Sequence, residues 1–245
     1  MKKLYQSKIL NNLDKFMFAN TETGLMRQNL DMFLYWKINE YIKADNILEI
    51  GTFAGQTLGL MIEASGKTDG IYTSVDLSFD NLSNLESMFS NMTIDCIKTD
   101  SVNLNLIEQY GYPVLYDIVH IDGNHSYEYV INDIKKIIPH LHKNSILIFD
   151  DYYLSGVNNA IDDFLSNNDI GFVPFMQGDQ SIFFHHCNND LEYFLDEYIY
   201  KNDVNDFMYL ENTRYKKYVV LKGQLLNVFN KHHDLFLQTL KIYNI

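Results

Sequence analysis

Carboxylate side chains close a series of short apolar runs in this sequence. They are Glu49, Asp76, Asp100, Asp122 and the adjacent pair Asp150-Asp151. If the runs are parallel strands, these acids share one rim of a sheet, and ligands of open parallel sheets bind outside the carboxyl ends of the strands. A single acid there can be a turn former or a helix cap. A whole row predicts a binding site, suited to a divalent cation or to the hydroxyls of a sugar.

A glycine-rich turn follows the first run. Residues 47–57 read Ile-Leu-Glu-Ile-Gly-Thr-Phe-Ala-Gly-Gln-Thr, and a helical pattern begins directly afterwards. Strand, glycine turn and helix N-terminus together predict a pocket of the nucleotide-binding kind. Phe53 stands where a dinucleotide fingerprint has its second glycine, so its bulk argues against NAD. Glu49 suits a positively charged ligand such as S-adenosylmethionine, and Asp76, which ends the next strand, suits a ribose.

Strand and helix patterns alternate through the middle of the chain. Strand-like runs occupy residues 47–50, 71–76, 93–100, 116–122 and 145–151. Helical stripes lie between several of them, which predicts a parallel sheet covered on both faces. Residues 172–175 and 181–185 flank a turn and predict a β-hairpin. The expected fold is α/β: a Rossmann-like, doubly wound, mostly parallel sheet of seven strands, with a C-terminal antiparallel hairpin and extra helices at both ends.

The composition excludes several classes of partner. A formal net charge of −13 opposes nucleic acids and anionic membranes, whose recognition relies on clustered Lys and Arg. Cys96 and Cys187 have neither metal-ligand spacing nor a disulfide framework, so a reduced, cytoplasmic setting is expected. No run approaches ~20 apolar residues, the length that spans a membrane.

These motifs, in this order, resemble a class I S-adenosylmethionine-dependent methyltransferase. The resemblance is carried by Leu48-Glu-Ile-Gly-Thr-Phe-Ala-Gly55, Asp76, the pair Asp100-Ser101 and the final hairpin. Two further blocks are Val119-His-Ile-Asp-Gly-Asn-His-Ser-Tyr-Glu-Tyr129 and Phe149-Asp-Asp-Tyr152. They are similar to metal-dependent small-molecule O-methyltransferases, including the macrocin and sugar O-methyltransferase group. The implied activity is methyl transfer to a hydroxyl of a sugar, a polyketide or a phenolic molecule.

The resemblance also implies the roles of the site residues. The methionine end of the cofactor would be lined by Glu49, Gly51, Thr52, Phe53 and Gly55. Asp76 would hold the ribose, while Asp100 and Ser101 would lie beside the adenine. Asp122 would contact the cofactor and, with Asp150 and Asp151, would bind Mg²⁺ or another divalent cation.

A hydroxyl becomes a good nucleophile only when a base removes its proton. The candidate catalytic bases are Asp122 and His125, which follow the same strand. His120 is expected to be a hydrogen-bonded core histidine. Asn124 stands where several sugar methyltransferases carry an acid, so the choice between the two bases stays open.

Two other functions stay open at this point. One is a non-catalytic module that binds S-adenosylmethionine or serves in assembly, and the other is a nicotinamide-dependent oxidoreductase of Rossmann type. The Asn/Asp-Pro-Pro-Tyr/Phe motif of enzymes that methylate the amino groups of bases is absent.

The length fits a single domain over residues 1–245. Its methyltransferase core is expected over residues 25–186, followed by a helical C-terminal extension over residues 187–245. Within the extension, Leu221–Tyr243 is apolar on more than one face and would form a lid or a homo-oligomer contact.

Overall fold

Strands and helices alternate along the chain. The computed structural model describes residues 29–80, 89–167, 171–177, 180–186, 207–210 and 218–221. The strands are β1 (Asn46–Ile50), β2 (Ile71–Asp76), β3 (Ile94–Lys98), β4 (Tyr116–Ile121), β5 (Leu141–Phe149), β6 (Phe172–Gln177), β7 (Ile182–His186), β8 (Phe207–Leu210) and β9 (Tyr218–Leu221). The helices are α1 (Asn29–Ile42), α2 (Gln56–Ser65), α3 (Leu106–Tyr110), α4 (Tyr127–Ile137) and α5 (Ser155–Asn167), with short 3₁₀ turns at Ser101–Asn103 and Ile138–His140.

These strands form one sheet in the order β3-β2-β1-β4-β5-β7-β6-β9-β8. The pairs β3–β2, β2–β1, β1–β4 and β4–β5 are parallel. Strand β7 is antiparallel to both β5 and β6. The predicted Rossmann-like sheet, mostly parallel and ending in an antiparallel hairpin, is therefore confirmed for the first seven strands.

The segment after residue 186 differs from the prediction. Strands β8 and β9 form a second antiparallel hairpin, and β9 pairs in parallel with β6. The prediction of a helical extension over residues 187–245 is wrong at these two strands, because short apolar runs fit either period and the edge of β6 offers free backbone groups. Leu221, the first residue of the apolar segment predicted to form a lid or an oligomer contact, is the last residue of β9. The rest of that segment lies outside the described residues.

Each face of the sheet carries its own hydrophobic core. Successive strand residues point to opposite faces, so Ile47 lies in the cluster with α1 and α2, whereas Leu48 lies in the cluster with α4 and α5. This arrangement confirms the doubly wound architecture. Helix α4 gives way to a 3₁₀ turn around Pro139, as expected from the missing N–H of proline.

No helix in the described ranges combines the length and the apolar character that crossing a membrane requires.

The strand register places the predicted site at one rim. Ile50, the last residue of β1, pairs with Val75 of β2 and with Ile121 of β4. Ile121 in turn pairs with Phe149 of β5. The carboxyl ends of β1, β2, β4 and β5 therefore lie at the same level of the sheet. The acids at these four ends, which are Glu49, Asp76, Asp122 and Asp150, share one rim.

Candidate functional site

The turn after β1 is fixed by close backbone approach. Gly51 has φ +87° and donates its N–H to the Val75 carbonyl at 2.8 Å. A Cβ on Gly51 would lie 2.1 Å from the carbonyl oxygen of Asp122. Asp122 donates its own N–H to the Ile50 carbonyl at 2.8 Å. Only glycine fits between these two segments, so this turn and the β4 end form one rigid unit.

Phe53 and Asp76 are joined across the same turn. The Phe53 N–H donates to Asp76 Oδ2 at 2.7 Å, and the Ser78 N–H donates to Asp76 Oδ1 at 3.1 Å. The Phe53 ring is 68% exposed, and its backbone has φ 49°, which is unusual for a bulky residue. Asp76 is thus oriented at the rim, and the Phe53 N–H is already used and not available to a phosphate.

Two further residues of the turn are Thr52, which lies beside Glu49, and Gly55, which lies at the start of α2. The Thr52 hydroxyl is buried and points to the Glu49 carbonyl at 3.5 Å. Gly55 has φ 75° and is the N-cap residue of α2. The structure therefore brings the predicted cofactor residues of this turn to one place, around the N-terminus of α2.

Glu49 and His120 form a buried pair between β1 and β4. They are register partners, and Glu49 Oε1 lies 2.9 Å from His120 Nδ1. Burial raises the pKa of Glu49, and the hydrogen bond from His120 opposes that rise. Burial lowers the pKa of His120, but the hydrogen bond and the charge of Glu49 have a larger effect and raise the pKa of His120 to about 9. Glu49 Oε2 is buried and has no well-formed hydrogen bond to a described residue, although the Thr52 side chain and the Leu58 backbone act on this carboxyl and lower its pKa.

His125 lies between two carboxylates. Its Nε2 is 3.3 Å from Asp122 Oδ1, and its Nδ1 is 3.2 Å from Asp151 Oδ2. The hydrogen bond to Asp122 raises the pKa of His125, with burial opposing. Burial raises the pKa of Asp122 to about 6, although its side chain is still 28% exposed. A protonated His125 therefore neutralises part of the negative charge of this acidic cluster.

The predicted cation ligands Asp122, Asp150 and Asp151 lie in two clusters that share Asp122, and each cluster also contains a histidine that was not predicted as a ligand. One is His120, Asp122 and Asp150, and the other is Asp122, His125 and Asp151; in each group the ligand atoms lie within 4.8 Å of one another. Carboxylate oxygens are the ligands that Mg²⁺ prefers, so the donor set fits such a cation. Asp122 is thus close to both Asp150 and Asp151, but neither cluster contains all three predicted carboxylates.

Asp100 and Ser101 lie at the end of β3, one strand beyond Asp76. Asp100 caps the 3₁₀ turn through the Val102 N–H at 3.1 Å and accepts from the Tyr129 hydroxyl at 3.2 Å. Asp133 of α4 is fully buried near this pair and near Gly123. Neither of its oxygens has a well-formed hydrogen bond to a described residue. Burial raises the pKa of Asp133 to about 6, while the nearby Ser101 and Asn132 side chains counteract part of the rise.

Replacing Asp133 by asparagine should stabilise the protein above pH 6. The folded pKa of about 6 exceeds the ordinary value of 3.8, so the carboxylate destabilises the fold increasingly as the pH rises between these values. We expect a gain of about 2 kcal/mol at pH 8 and little gain at pH 4. Thermal unfolding across this pH range measures the change in the free energy of unfolding.

The control is Glu128→Gln, at an exposed position of the same helix. A variant Asp133→Asn that is less stable than the wild type at pH 8 would contradict the expected gain.

Several residues around the site are not predicted by sequence reasoning. Tyr35 of α1 contacts His120 Nε2 at 3.3 Å, and Ser181 donates to Asp150 Oδ1 at 2.8 Å. Gln180 Nε2 lies 3.3 Å from Asp151 Oδ1. These contacts join residues that are distant in sequence, and no local pattern marks them; only the strand-start position of Ser181 and the helical stripe of α1 are visible in the sequence.

Residues 48–152 match a protein family whose model is described as a methyltransferase domain. Among curated proteins, an uncharacterised protein named R132 from Acanthamoeba polyphaga mimivirus is 29% identical over 133 residues. This match covers 46% of the chain and 55% of the mimivirus protein, so the chain spans about half the length of that relative.

Three solved structures share the fold. The methyltransferase PaMTH1 of Podospora anserina, solved with SAH, has a TM-score of 0.58 and 14% identity, over 75% of this chain and 88% of its own. An O-methyltransferase of Bacillus cereus in complex with SAH has a TM-score of 0.54 and 14% identity, and the match covers 71% of this chain and 89% of that one. CalS11, a TDP-rhamnose 3'-O-methyltransferase of calicheamicin biosynthesis, has a TM-score of 0.51 and 17% identity, and the match covers 75% of this chain and 87% of that one.

Proposed function

We propose that the chain is a class I, S-adenosylmethionine-dependent methyltransferase that methylates a hydroxyl of a small molecule with the help of a divalent cation. The observation that carries the proposal is that Asp122, beside the Gly51 turn, shares one cluster of possible cation ligands with Asp150 and a second cluster with Asp151. Two of the similar structures are O-methyltransferases, and one of these is a TDP-rhamnose 3'-O-methyltransferase. Their activities support a hydroxylated acceptor such as a sugar.

The rim offers groups for both ends of the cofactor. Glu49 Oε2, buried and without a well-formed hydrogen bond to a described residue, would accept hydrogen bonds from the ammonium of the methionine part. Asp76, held by two backbone N–H groups, would accept from the ribose hydroxyls. Since the Phe53 N–H is occupied by Asp76, the turn lacks a donor that a pyrophosphate would use. These contacts favour S-adenosylmethionine over a dinucleotide.

The carboxylates next to the turn would hold the cation and the acceptor. Asp122, Asp150 and Asp151 would be the ligands, and a bound cation would lower the pKa of an acceptor hydroxyl. Asp122 or His125 would take the proton from that hydroxyl. The acceptor oxygen then forms a bond to the methyl carbon while the carbon–sulfur bond breaks. His125 contacts carboxylates through both ring nitrogens, and the hydrogen bond to Asp122 raises the pKa of His125. The raised pKa favours the protonated form of His125, so we take Asp122 as the proton acceptor.

Asp76→Ala is expected to weaken binding of S-adenosylhomocysteine by about 10- to 100-fold, because it removes hydrogen bonds to a charged acceptor. Isothermal titration calorimetry of the full chain measures the effect. Asp80→Ala is the matched control, since Asp80 is an exposed carboxylate that accepts from Ser78 at 2.7 Å. Wild-type protein that binds NAD and fails to bind S-adenosylhomocysteine would overturn the proposed function.

A further inference from the structure

Two adjacent residues that precede β7 contact the proposed cation ligands. Ser181 is fully buried, and its hydroxyl donates to Asp150 Oδ1 at 2.8 Å. The Gln180 side chain reaches Asp151 Oδ1 at 3.3 Å, and the Gln180 carbonyl accepts the Tyr152 N–H at 2.8 Å. Each of the two carboxylates after β5 thus has its own partner from this segment. Both partners lie outside residues 48–152, the part that matches the family.

Helix α1 holds the same segment from the other side. Asp31 Oδ2 accepts the Gln180 N–H at 2.9 Å, and Asp31 is 2% exposed. The Tyr35 hydroxyl forms a short hydrogen bond with Ser181 Oγ and also contacts His120 Nε2 at 3.3 Å. The Tyr35 ring packs on Phe183 of β7 with ring centroids 5.6 Å apart. Residues 180 and 181 are therefore fixed between α1 and the end of β5.

The direction of these hydrogen bonds follows from the chemistry of the groups. A carboxylate only accepts, so Ser181 donates its one proton to Asp150. Tyr35 must then donate to Ser181, and His120 must donate from Nε2 to Tyr35. A continuous buried path of hydrogen bonds thus joins Glu49, His120, Tyr35, Ser181 and Asp150. His120 donates from Nδ1 to Glu49 and from Nε2 to Tyr35, so both ring nitrogens carry a proton, and the donors from Nε2 onwards point towards Asp150. Such a path fixes the rotamer of Asp150.

We propose that Ser181 and Gln180, held by Tyr35 and Asp31, are positioning residues that keep Asp150 and Asp151 in the conformations that bind the divalent cation. This inference rests on the proposed function, because it takes the two carboxylates as cation ligands. Groups that hydrogen-bond a ligating carboxylate orient it and tune its affinity for the metal. Ser181 makes the shorter contact and is the more deeply buried of the two, so it carries the larger effect.

The test is Mn²⁺ binding to the full chain, measured by calorimetry and by the electron paramagnetic resonance spectrum of the bound ion. Ser181→Ala should weaken Mn²⁺ affinity by about tenfold and alter the spectrum. Tyr35→Phe keeps the ring and removes only the hydroxyl, and it should weaken affinity less. Because both act on Asp150 through one path, the double variant should bind no more weakly than Ser181→Ala alone.

Two control variants separate positioning from general stability. Ser145→Ala removes a buried hydroxyl in the middle of β5 that donates to the carbonyl of Tyr116, the first residue of β4, at 2.7 Å. Tyr72→Phe removes a hydroxyl that donates to the Lys67 carbonyl at 3.0 Å, away from the rim. Both should leave Mn²⁺ affinity and the spectrum unchanged.

The outcomes distinguish this inference from the proposed function. Wild-type Mn²⁺ binding with Ser181→Ala indistinguishable from Ser145→Ala overturns the positioning role alone. Additive losses in the double variant also overturn it. A wild type that binds S-adenosylhomocysteine but no divalent cation overturns the cation role and the positioning role together, and leaves the cofactor assignment standing.

Discussion

Replacing Asp122 by asparagine is expected to reduce kcat by about 10²- to 10⁴-fold, the range for loss of a positioned acid or base. Asp122 is the residue shared by both possible cation groups, and it contacts His125 at 3.3 Å. The neutral amide has nearly the same shape, so the loss would report charge and proton acceptance. The measurement is transfer of a radiolabelled methyl group to a panel of sugar nucleotides, polyketides and phenols, with Mg²⁺ present.

A matched control for this variant exists near the other end of β4. Asp117 Oδ1 lies 3.1 Å from His142 Nε2, and the exposed fractions of these two side chains, both 25%, are close to those of Asp122 and His125. Asp117→Asn therefore changes a similar pair far from the rim and should keep wild-type turnover. Equal turnover of Asp122→Asn and the wild type, on any acceptor that the wild type methylates, would remove Asp122 from the mechanism.

Replacing Gly51 by alanine is expected to abolish cofactor binding and to lower the free energy of unfolding by at least about 3 kcal/mol. The added Cβ would lie 2.1 Å from the Asp122 oxygen and 2.6 Å from the Gly123 Cα, and both are backbone atoms of the β4 end. Relief requires that β1 and β4 separate at the rim. The cofactor turn and Asp122 would then lose their alignment together. Calorimetry with S-adenosylhomocysteine and thermal unfolding measure the two effects.

Gly66→Ala provides the comparison for Gly51→Ala. Gly66 also has a positive φ, +65°, but an added Cβ would meet nothing within 4 Å. It should cost only the conformational strain of a left-handed residue, about 1 kcal/mol, and leave cofactor affinity intact. If both alanine variants bind S-adenosylhomocysteine equally well, the tight contact at Gly51 has no role in shaping the site.

Much of the sheet was predictable because its elements are local patterns. Runs such as Tyr116–Ile121 end on an acid and alternate with helical stripes, and parallel pairing then places their ends at one rim. The neighbourhood of Asp122, Asp150 and Asp151 follows from that rule.

The remaining features depend on contacts that no local pattern records. Tyr35 and Ser181 are 146 positions apart, and they meet only because α1 packs beside β7. Asp133 occupies a helix stripe where a buried acid is unusual, and only the packed structure shows that it lacks well-formed partners among the described residues. Strands β8 and β9 escape prediction because a four-residue apolar run fits a helix as well as a strand.

The central claim is that one rim binds the methyl donor and a divalent cation side by side. A crystal structure of the full chain soaked with S-adenosylhomocysteine and Mn²⁺ tests it most directly. We expect the amino-acid end of the cofactor at Glu49, its ribose at Asp76, and anomalous density for Mn²⁺ on Asp122, Asp150 and Asp151. Cofactor density elsewhere, or a cofactor bound at the rim with no ion on these three carboxylates at saturating Mn²⁺, would contradict it.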